Sequence, residues 1–445
     1  MSEADLLKKD ILEKTKKYYD LVHNREDEKF IPGESRVNYG GRFFDEEEVV
    51  NLIDSSLEFW LTSGRYSKQF EKEFADKLGV KHALLVNSGS SANLVAFMTL
   101  TSPKLKERQI KRGDEVITVA AGFPTTVSPL VQYGAVPVFV DVELETYNID
   151  CNELEKAVSN KTKAVMIAHT LGNPFDLRKV KEFCDKYNLW LIEDNCDALG
   201  SEYDGQLTGS FGDLATSSFY PPHHLTMGEG GAVYTSSGKL KMIAESFRDW
   251  GRDCFCPSGK DDTCGKRFNW SLGTLPQGYD HKYIYSHFGY NLKPTDMQAA
   301  IGVAQLKKLD FVTKRRRENF DALLKGLEEY SEFLILPKAT AGSSPSWFGF
   351  PITVKKEAPF NRAEIVYTLE QNNIQTRMLF AGNLTRHPCF DELREQEGSF
   401  RVIGDLKNTD TIMNDTFWLG VYPGMTLEMV DFMVDTIKKF FFKFN

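Results

Sequence analysis

The chain has 445 residues, of which 41% are hydrophobic and 26% are charged, and this composition excludes a disordered or repeat-dominated protein. The formal net charge of −9 argues against a nucleic-acid partner, and no apolar run approaches the length of a membrane span. The basic run Lys314–Arg317 is therefore predicted to be the solvated face of a helix. Because the N-terminus has no signal-peptide pattern, we expect a cytoplasmic protein.

The predicted elements alternate between strands and helices from about residue 80. Residues 1–60 are predicted to form amphipathic helices with a turn near Ile31–Glu34. The later alternation predicts an α/β fold with a mostly parallel sheet, whose ligands bind at the carboxyl ends of the strands. The predicted strands are Ala83–Val86, Glu115–Val119, Val136–Val140, Thr162–His169, Leu189–Glu193, Leu214–Phe219 and Ala232–Thr235.

The second half of the chain begins with a segment that lacks a period. Residues 254–290 are rich in glycine, proline, aspartate and aromatic residues, which predicts a long ordered insertion. A helix is predicted over Thr295–Leu309, and a smaller α/β pattern fills the rest. We therefore predict a helical segment at 1–60, a large cofactor-binding domain at 61–320 and a small C-terminal domain at 321–445.

Small residues follow the first predicted strand and open a helix. In the segment Ser88–Asn93, Gly89 and Ser90 let backbone N–H groups approach a phosphate, and the helix N-terminus adds partial positive charge. A plain serine N-cap explains the same residues. The segment therefore predicts either a phosphate site or an ordinary helix start.

Acidic residues end the apolar strand that leads to Asp194. A carboxylate at the carboxyl end of a parallel strand lies where ligands bind, and an ionised aspartate there can hold a pyridine nitrogen protonated. A solvated strand terminus accounts for Asp194 equally well. The pattern alone leaves both interpretations open.

The segment Ser217–Gly231 resembles the pyridoxal-phosphate motif of the DegT/DnrJ/StrS family of sugar aminotransferases. Members of this family carry Ser-Phe-His-x-x-Lys before a Gly-Gly turn, and the lysine forms a Schiff base with the cofactor. Here Ser218 matches the motif, Tyr220 replaces its histidine and His223 replaces its lysine. The resemblance covers about residues 40–440. It implies the aminotransferase fold type I, with a mixed, mostly parallel sheet in a large domain and a smaller C-terminal α/β domain.

Two further segments carry the same resemblance. Gly122–Thr126 is similar to the stretch whose aromatic residue, here Phe123, stacks on the pyridine ring. Phe288–Ala300 is similar to a stretch whose asparagine, here Asn291, reaches the phosphate of the neighbouring subunit's cofactor. The resemblance therefore implies a homodimer with cofactor sites at its interface.

No lysine lies between Ser201 and Gly238, so a covalent tether for pyridoxal phosphate is missing. Pyridoxamine phosphate needs no tether, and a histidine at the lysine position resembles the family's sugar 3-dehydrases, which remove a C3 hydroxyl. The resemblance implies that Asp194 pairs with the pyridine nitrogen, that Asp197 lies against the ring and that His223 is the catalytic base. A true aminotransferase, which needs a lysine near the cofactor, and an inactive relic are the alternatives.

Four of the seven cysteines form a spaced set, and these are Cys196, Cys254, Cys256 and Cys264. Four thiolates suit structural zinc or a [2Fe–2S] cluster, and the spacing alone favours zinc. Because Cys196 lies two residues after Asp194, we expect a metal held there to lie near the cofactor.

The cysteine spacing resembles the iron–sulfur motif of one branch of the family, the CDP-sugar 3-dehydrases. This branch implies a [2Fe–2S] cluster, CDP-4-keto-6-deoxy-D-glucose as substrate and a separate NADH-dependent flavin/iron–sulfur reductase, in the synthesis of dideoxyhexoses for lipopolysaccharide O-antigens. A cluster-free dehydrase and a zinc-stapled protein without activity are the alternatives. His281, His287 and His387 are the remaining histidines with some claim on the site, and the first two, which lie in the insertion, are candidates for substrate contact.

Overall fold

A computed structural model describes residues 1–24, 29–257, 259–263 and 265–444 of the chain. Helices and strands alternate from β1 to β5, and the C-terminal part of the chain contains a second, smaller sheet. The helices are α1 (Glu3–Val22), α2 (Glu46–Glu58), α3 (Arg65–Leu78), α4 (Gly89–Leu100), α5 (Pro124–Tyr133), α6 (Leu154–Ala157), α7 (Leu177–Tyr187), α8 (Gly238–Arg248), α9 (Asp296–Leu306), α10 (Leu309–Leu327), α11 (Arg362–Gln371), α12 (Asp391–Glu395), α13 (Lys407–Asp415) and α14 (Leu427–Phe441). The strands are β1 (His82–Val86), β2 (Glu115–Val119), β3 (Val136–Val140), β4 (Thr162–Ala168), β5 (Trp190–Asp194), β6 (Glu202–Tyr203), β7 (Gln206–Leu207), β8 (Leu214–Ser218), β9 (Gly231–Thr235), β10 (Leu334–Ile335), β11 (Ser343–Ser344), β12 (Gly349–Val354), β13 (Thr376–Arg377), β14 (Arg401–Val402) and β15 (Thr416–Gly420).

The large sheet has eight strands in the order β1-β9-β8-β5-β4-β2-β3-β14. Its neighbours from β8 to β14 run parallel, whereas β9 runs antiparallel to both β1 and β8. This is the mixed, mostly parallel sheet that the sequence predicts, so the predicted fold class is confirmed. Because β1, β5 and β8 point the same way, their carboxyl ends meet at one edge of the sheet.

The strands of this sheet are apolar because both of their faces are covered by helices. β2 and β5 are buried at every position. Along β2, Val116 packs into the core on the α4 face, and the next residue, Ile117, packs into the core on the opposite face. The predicted strands agree with the observed ones to within one residue at each end.

A second sheet is antiparallel and has the order β10-β12-β15-β13. Phe320 of α10, Phe350 of β12 and Ile437 of α14 belong to its single core, which confirms the predicted second α/β pattern. β14 lies inside the range predicted for the small domain but pairs with β3 of the large sheet. The division at residues 60 and 320 remains a prediction, and β14 crosses it.

The N-terminal helices pack against the large domain. α1 packs on α2, and α2 packs on α9. Both α1 and α2 begin with a capping box, in which Ser2 and Asp45 are the N-cap residues. In the part of the chain that the structure describes, no helix is both long and apolar enough to cross a membrane.

The described residues of the 254–290 segment contain one short 3-10 turn, His281–Tyr283, and no strand of the sheets. The side chain of Asp253, the residue just before this segment, contacts residues that hold the segment in place. The Asp253 carboxylate accepts from Nζ of Lys104 over 2.7 Å and from Oγ of Ser286 over 2.5 Å. Its second oxygen lies 3.0 Å from Nε2 of His281. Polar side-chain contacts, together with single backbone hydrogen bonds such as that from the N–H of His281 to the carbonyl of Arg267, therefore hold the insertion.

Candidate active site

A cavity of about 670 Å³ opens at the carboxyl edge of the large sheet. The segments that follow β1, β2, β5 and β8 form one wall, and residues of the small sheet and its flanking loops form the other. Its lining residues include Tyr39, Ser88, Gly89, Ser90, Asn93, Phe123, Asp194, Cys196, Asp197, Ser218, Tyr220, His223, Phe348, Arg377, His387 and Trp418. The structure thus brings together most of the residues that the sequence predicts for the cofactor and catalytic roles.

Gly89 begins α4 at the point where that helix meets β8. A Cβ atom on Gly89 would lie 2.4 Å from Cβ of Ser218, so a larger residue would separate the helix from the strand. Ser88 is the N-cap of α4, and its Oγ accepts the N–H of Ser91 over 3.1 Å. The ordinary cap is therefore Ser88. Gly89 and Ser90 line the cavity at a helix N-terminus, which favours an anion there.

Asp194 ends β5 with a buried carboxylate. Its Oδ2 accepts from Nδ2 of Asn93 over 2.8 Å and from Oγ1 of Thr126 over 2.7 Å. Asn93 is oriented in turn by Thr216, whose Oγ1 donates to Oδ1 of Asn93 over 2.7 Å. The backbone N–H of Cys196 donates to Oδ1 of Asp194 over 3.2 Å. Asp194 is therefore a fixed carboxylate that lines a cavity, and the interpretation as a solvated strand terminus is excluded.

His223 lies in the turn after β8, at the position where the family motif has lysine. Its Nδ1 lies 3.5 Å from Oδ1 of Asp197, and this nitrogen has no hydrogen-bond partner among the described residues. Burial, and next the positive charge of Arg316, lower the pKa of His223 to about 3. The imidazole is therefore neutral near neutral pH, and the same shift makes it a weaker base than a free histidine. No lysine is among the described residues that line the cavity.

Asp197 faces His223 from the segment that follows β5. Burial, and next the charge of Asp194, raise the pKa of Asp197 to about 8, while Arg316 opposes this shift. A buried carboxyl beside a second carboxylate keeps its proton, because two like charges at close range disfavour ionisation. Asp197 and His223 are therefore both uncharged near neutral pH.

Two aromatic side chains, Phe123 and Tyr220, are about half exposed and line the cavity. The ring of Phe123 meets that of Phe380 edge-on, with 6.2 Å between centroids. The ring of Tyr220 lies 6.5 Å from that of His223. An aromatic face in a cavity suits stacking on a flat ring, which fits the role that the resemblance implies for Phe123.

Asn291 does not line this cavity. The residue is exposed, its Oδ1 accepts from Nζ of Lys293 over 3.1 Å, and its backbone pairs with Asp249. The role implied for Asn291, at the cofactor of a neighbouring subunit, therefore remains a prediction.

The predicted metal-binding cysteines do not gather in one place within the described residues. Cys196 lines the cavity beside Asp194. Cys254 and Cys256 lie together at a different cavity, where the backbone N–H of Cys256 is 3.4 Å from Sγ of Cys254. The described residues contain no group of three metal-ligating side chains, and Cys264 lies outside them. Within the described residues of one chain, Cys196 therefore does not share a site with Cys254 and Cys256.

Both histidines of the insertion that were candidates for substrate contact have structural partners. His287 lies between two hydroxyl groups, with Oγ of Ser102 at 2.7 Å from its Nε2 and Oγ of Ser246 at 2.8 Å from its Nδ1. His281 pairs with Asp253 and stacks on Trp270 at 4.3 Å. Neither lines the candidate active-site cavity.

The expectation that the basic run Lys314–Arg317 is a solvated face is wrong for Arg316. Lys314 is exposed, but the side chain of Arg316 is among the largest fully buried side chains of the described residues. The run lies on α10, which contributes Leu309 to a core beside the large sheet and Phe320 to the core of the second sheet, so successive residues face different surroundings. A charge run on a helix therefore does not identify its solvent face.

Arg377, Tyr39 and Trp418, which belong to the second wall of the cavity, were not predicted from the sequence. The guanidinium of Arg377 lies 4.0 Å from the ring centroid of Tyr39, and both residues line the cavity beside Trp418. Arg377 is the one arginine or lysine among the described lining residues. These positions are far apart in the sequence and form no motif, so no local signal could have found them. Asn93, by contrast, lies in the segment Ser88–Asn93, for which the sequence already offers a phosphate site as one interpretation.

A phosphorylated pyridine cofactor fits this cavity. The approach of Gly89 to Ser218 leaves the helix N-terminus open to an anion, and Asp194 is held as an acceptor for a protonated ring nitrogen. The aromatic ring of Phe123 is available for stacking. The fold and the site together define the fold type I class of pyridoxal-phosphate-dependent enzymes.

Within this class the chain belongs to the DegT/DnrJ/EryC1/StrS aminotransferase family, which matches residues 44–438. It is 58% identical over 412 residues to the lipopolysaccharide biosynthesis protein RfbH of Salmonella typhimurium, covering 93% of each chain. It is 52% identical over 421 residues to a dTDP-4-dehydro-2,6-dideoxy-D-glucose 3-dehydratase of Saccharopolyspora spinosa, covering 95% of this chain and 90% of the relative. The close relatives thus include sugar 3-dehydratases.

Solved structures agree with this assignment. A crystal structure of a GDP-4-keto-6-deoxymannose-3-dehydratase variant with bound GDP-perosamine matches 91% of this chain and 100% of its own, with a TM-score of 0.81 and 28% identity. The E. coli GDP-4-keto-6-deoxy-D-mannose-3-dehydratase with bound hydrated pyridoxal phosphate matches 90% of this chain and 100% of its own, with a TM-score of 0.80 and 29% identity. The chain therefore shares the fold of these sugar 3-dehydratases.

Proposed function

We propose that this chain is a pyridoxamine-phosphate-dependent dehydrase that removes the C3 hydroxyl of a 4-keto-6-deoxy nucleotide sugar. The observation that carries the proposal is the buried His223, beside Asp197, in a cavity with no lysine among its described lining residues. Two relatives support the reaction class, since one is named a 3-dehydratase of a dTDP-linked sugar and the other of a GDP-linked sugar.

Bound pyridoxamine phosphate would supply a primary amine for the C4 ketone and a ring that withdraws electrons. Gly89, Ser90 and Ser218 hold its phosphate at the N-terminus of α4. Asp194 would accept a hydrogen bond from the protonated ring nitrogen, and Asn93 keeps that carboxylate oriented. The chain's own contribution at this end of the cavity is therefore binding and orientation.

His223 moves the proton in this proposal. Its Nδ1 is buried and lacks a hydrogen-bond partner among the described residues, so it is available to accept the C4′ proton. The protonated imidazole would then return this proton to the C3 hydroxyl, which would leave as water. The rings of Phe348 and Trp418, which line the same cavity, limit the access of water to the imidazole.

The proposed substrate is CDP-4-keto-6-deoxy-D-glucose. The cysteine spacing supports a CDP-linked sugar through the branch of the family that it resembles, whereas two relatives are named for dTDP- and GDP-linked sugars. Arg377, stacked on Tyr39, supplies positive charge for the diphosphate. We also propose a homodimer, because the implied phosphate contact of Asn291 needs a second chain.

A [2Fe–2S] cluster and its NADH-dependent flavin/iron–sulfur reductase are part of the proposal on the strength of the cysteine spacing alone. Cys196 is apart from Cys254 and Cys256 in the described chain, so we assign no step of the reaction to a cluster. The same separation favours a second candidate function, a cluster-free dehydrase that releases ammonia and a 3-deoxy ketosugar. Both candidates belong in dideoxyhexose synthesis for lipopolysaccharide.

The test is loss of the C3 oxygen from CDP-4-keto-6-deoxy-D-glucose labelled with ¹⁸O at C3. Purified protein is incubated with pyridoxamine phosphate, and labelled water is measured by mass spectrometry with the wild type and with His223→Asn. We expect oxygen loss that depends on His223. Oxygen loss equal in both proteins would overturn the proposal.

Two further arms of the same experiment identify the sugar and the cluster. The dTDP- and GDP-linked substrates replace the CDP sugar at equal concentration, and the highest kcat/KM identifies the nucleotide. Formation of ammonia and a 3-deoxy ketosugar without any reductant supports the cluster-free candidate. A product that forms only with a reductase and NADH supports the cluster.

A further inference from the structure

Arg316 lies on α10 with its guanidinium buried behind the candidate active site. Its Nη2 donates to the backbone carbonyls of Pro222 over 2.9 Å and His223 over 3.3 Å. Its Nη1 donates to the carbonyls of Trp347 over 3.1 Å and Phe348 over 3.2 Å. One side chain therefore joins the turn that carries His223 to the segment that leads into β12.

The chemistry of this contact is unusual for a core residue. Burying a guanidinium costs free energy that an apolar side chain of similar volume avoids, so packing alone does not explain an arginine here. The planar guanidinium donates to four carbonyl oxygens on two segments of the chain. The ammonium group of a lysine cannot reproduce this geometry. The ring of Phe348 lies 5.5 Å from the guanidinium carbon and 5.0 Å from the His223 ring, so it contacts both.

Both segments that Arg316 holds contribute to the cavity. Pro222 and His223 line it from the large domain, and Phe348 lines it from the small domain. A displacement of about 1 Å at a reacting group can lower a rate by roughly 100-fold. Fixing the backbone of the turn therefore has a direct consequence for the imidazole.

We propose that Arg316 is a positioning residue for His223, which it holds against the small domain through the backbone of the turn. This inference rests on the proposed function for the role of His223 as the base. The place of the residue 223 side chain in the cavity, however, does not depend on the reaction that occurs there.

The experiment compares Arg316→Lys and Arg316→Met with Arg317→Met as the matched control. Arg317 is the next residue of α10 and also donates to backbone carbonyls, those of Pro345 and Ser344, each over 2.9 Å. It does not line the cavity. We expect Arg316→Met to lower kcat by about 100-fold with KM for the sugar within about threefold of the wild type. Arg316→Lys should recover about tenfold of this loss, and Arg317→Met should leave kcat within about threefold.

A second readout needs no dehydration. In a His223→Lys background, the rate at which borohydride traps pyridoxal phosphate on Lys at position 223 reports where that side chain lies. We expect the added Arg316→Lys change to slow trapping by about tenfold, while Arg317→Met leaves it unchanged. Circular dichroism identifies any variant that does not fold, and Arg316→Lys, which keeps the charge, then carries the test.

The two readouts separate the two hypotheses. If His223→Asn still dehydrates the sugar but Arg316→Lys slows trapping, the proposed base is wrong and the positioning role stands. Equal trapping rates in the Arg316 and Arg317 variants would overturn the positioning role. A loss of kcat in Arg316→Met no larger than in Arg317→Met would overturn it as well.

Discussion

The side-chain amide of Asn93 donates to Oδ2 of Asp194 over 2.8 Å, joining the start of α4 to the end of β5. The contact links the segment in which the sequence predicts a phosphate site to the carboxylate that is expected to pair with a pyridine nitrogen. Asp197, three residues further on, has no such donor among the described residues, and it keeps its proton near neutral pH because burial and Asp194 raise its pKa to about 8. The two carboxyl groups are thus prepared for different roles.

We therefore expect Asp194→Asn to impair the reaction far more than Asp197→Asn. A buried hydrogen bond to a charged group contributes roughly 1.5–3 kcal/mol, which corresponds to about 10- to 100-fold in rate if it strengthens in the transition state. The measurement is exchange of the C4′ hydrogen from labelled pyridoxamine phosphate in both variants. If exchange survives in Asp194→Asn and disappears in Asp197→Asn, the two assignments are reversed.

The absence of a lysine from the described lining of the cavity gives a second prediction. Borohydride should not trap pyridoxal phosphate on the wild-type protein, whereas His223→Lys should yield a phosphopyridoxyl peptide that contains residue 223. The same variant should lose dehydration and gain some transamination. Mass spectrometry of the reduced, digested protein makes the measurement.

His387→Lys is the matched control for this experiment, because His387 lines the same cavity from the opposite wall. We expect no trapping on Lys at position 387. A modified lysine in the wild-type protein would contradict the assignment of His223 to the tether position.

The fold could be predicted from the sequence because its signals are local. Buried parallel strands such as β2 and β5 are short β-branched or apolar runs, and each was located to within one residue. The residues at the carboxyl ends of those strands could be placed at one edge of the sheet for the same reason, whereas the role of Asp194 rests on the family resemblance and remains a prediction. Topology then places strand ends together without any knowledge of side-chain contacts.

The remaining features depend on contacts between distant parts of the chain. The basic run around Arg316 predicts a face exposed to solvent, but Arg316 is buried. The prediction fails because α10 contacts the cores of both sheets, and such a helix has no simple polar face. Arg377 and Tyr39, which come from opposite ends of the sequence, carry no pattern that marks them as neighbours. The sequence could likewise not predict that Cys196 lies apart from Cys254 and Cys256, since spacing along the chain does not fix distance in space.

The third prediction concerns the cysteines. If the chain binds a [2Fe–2S] cluster, Cys196→Ala and Cys254→Ala should each lose iron and sulfide after purification without oxygen. Cys151→Ala is the control, because Sγ of Cys151 is 3.8 Å from the carbonyl of Ile149 and belongs to no cysteine group. Loss of the C3 oxygen should persist in Cys254→Ala, since proton transfer needs only the cofactor and the base.

Three outcomes of the metal analysis discriminate between the candidates. Equal amounts of iron and sulfide, lost in both cysteine variants, support the cluster. This result would require Cys196 and Cys254 to bind the same metal group. Zinc without sulfide supports a structural site. Metal-free protein that still removes the C3 oxygen supports the cluster-free dehydrase.

The last prediction concerns Asp296, which is the first residue of α9 and caps the N-terminus of another helix, α3. Its carboxylate accepts the backbone N–H groups of Gly64 over 2.8 Å, Tyr66 over 3.1 Å and Ser67 over 2.8 Å, at the start of α3. Gly64 is the N-cap of α3 and has no side chain for this purpose. Asp296 thus supplies the acceptors that an N-cap residue normally provides.

Asp296→Ala should destabilise the protein by about 3 kcal/mol, because an unsatisfied buried N–H group costs roughly 1–3 kcal/mol and water will reach some of the three. Asp310→Ala is the control, since its ion pair with Lys77 is exposed and should contribute little. Urea unfolding measures the free energy, and hydrogen exchange of the peptide that covers residues 64–67 localises the effect. If Asp296→Ala loses no more stability than Asp310→Ala and exchange at 64–67 is unchanged, α3 does not depend on this carboxylate.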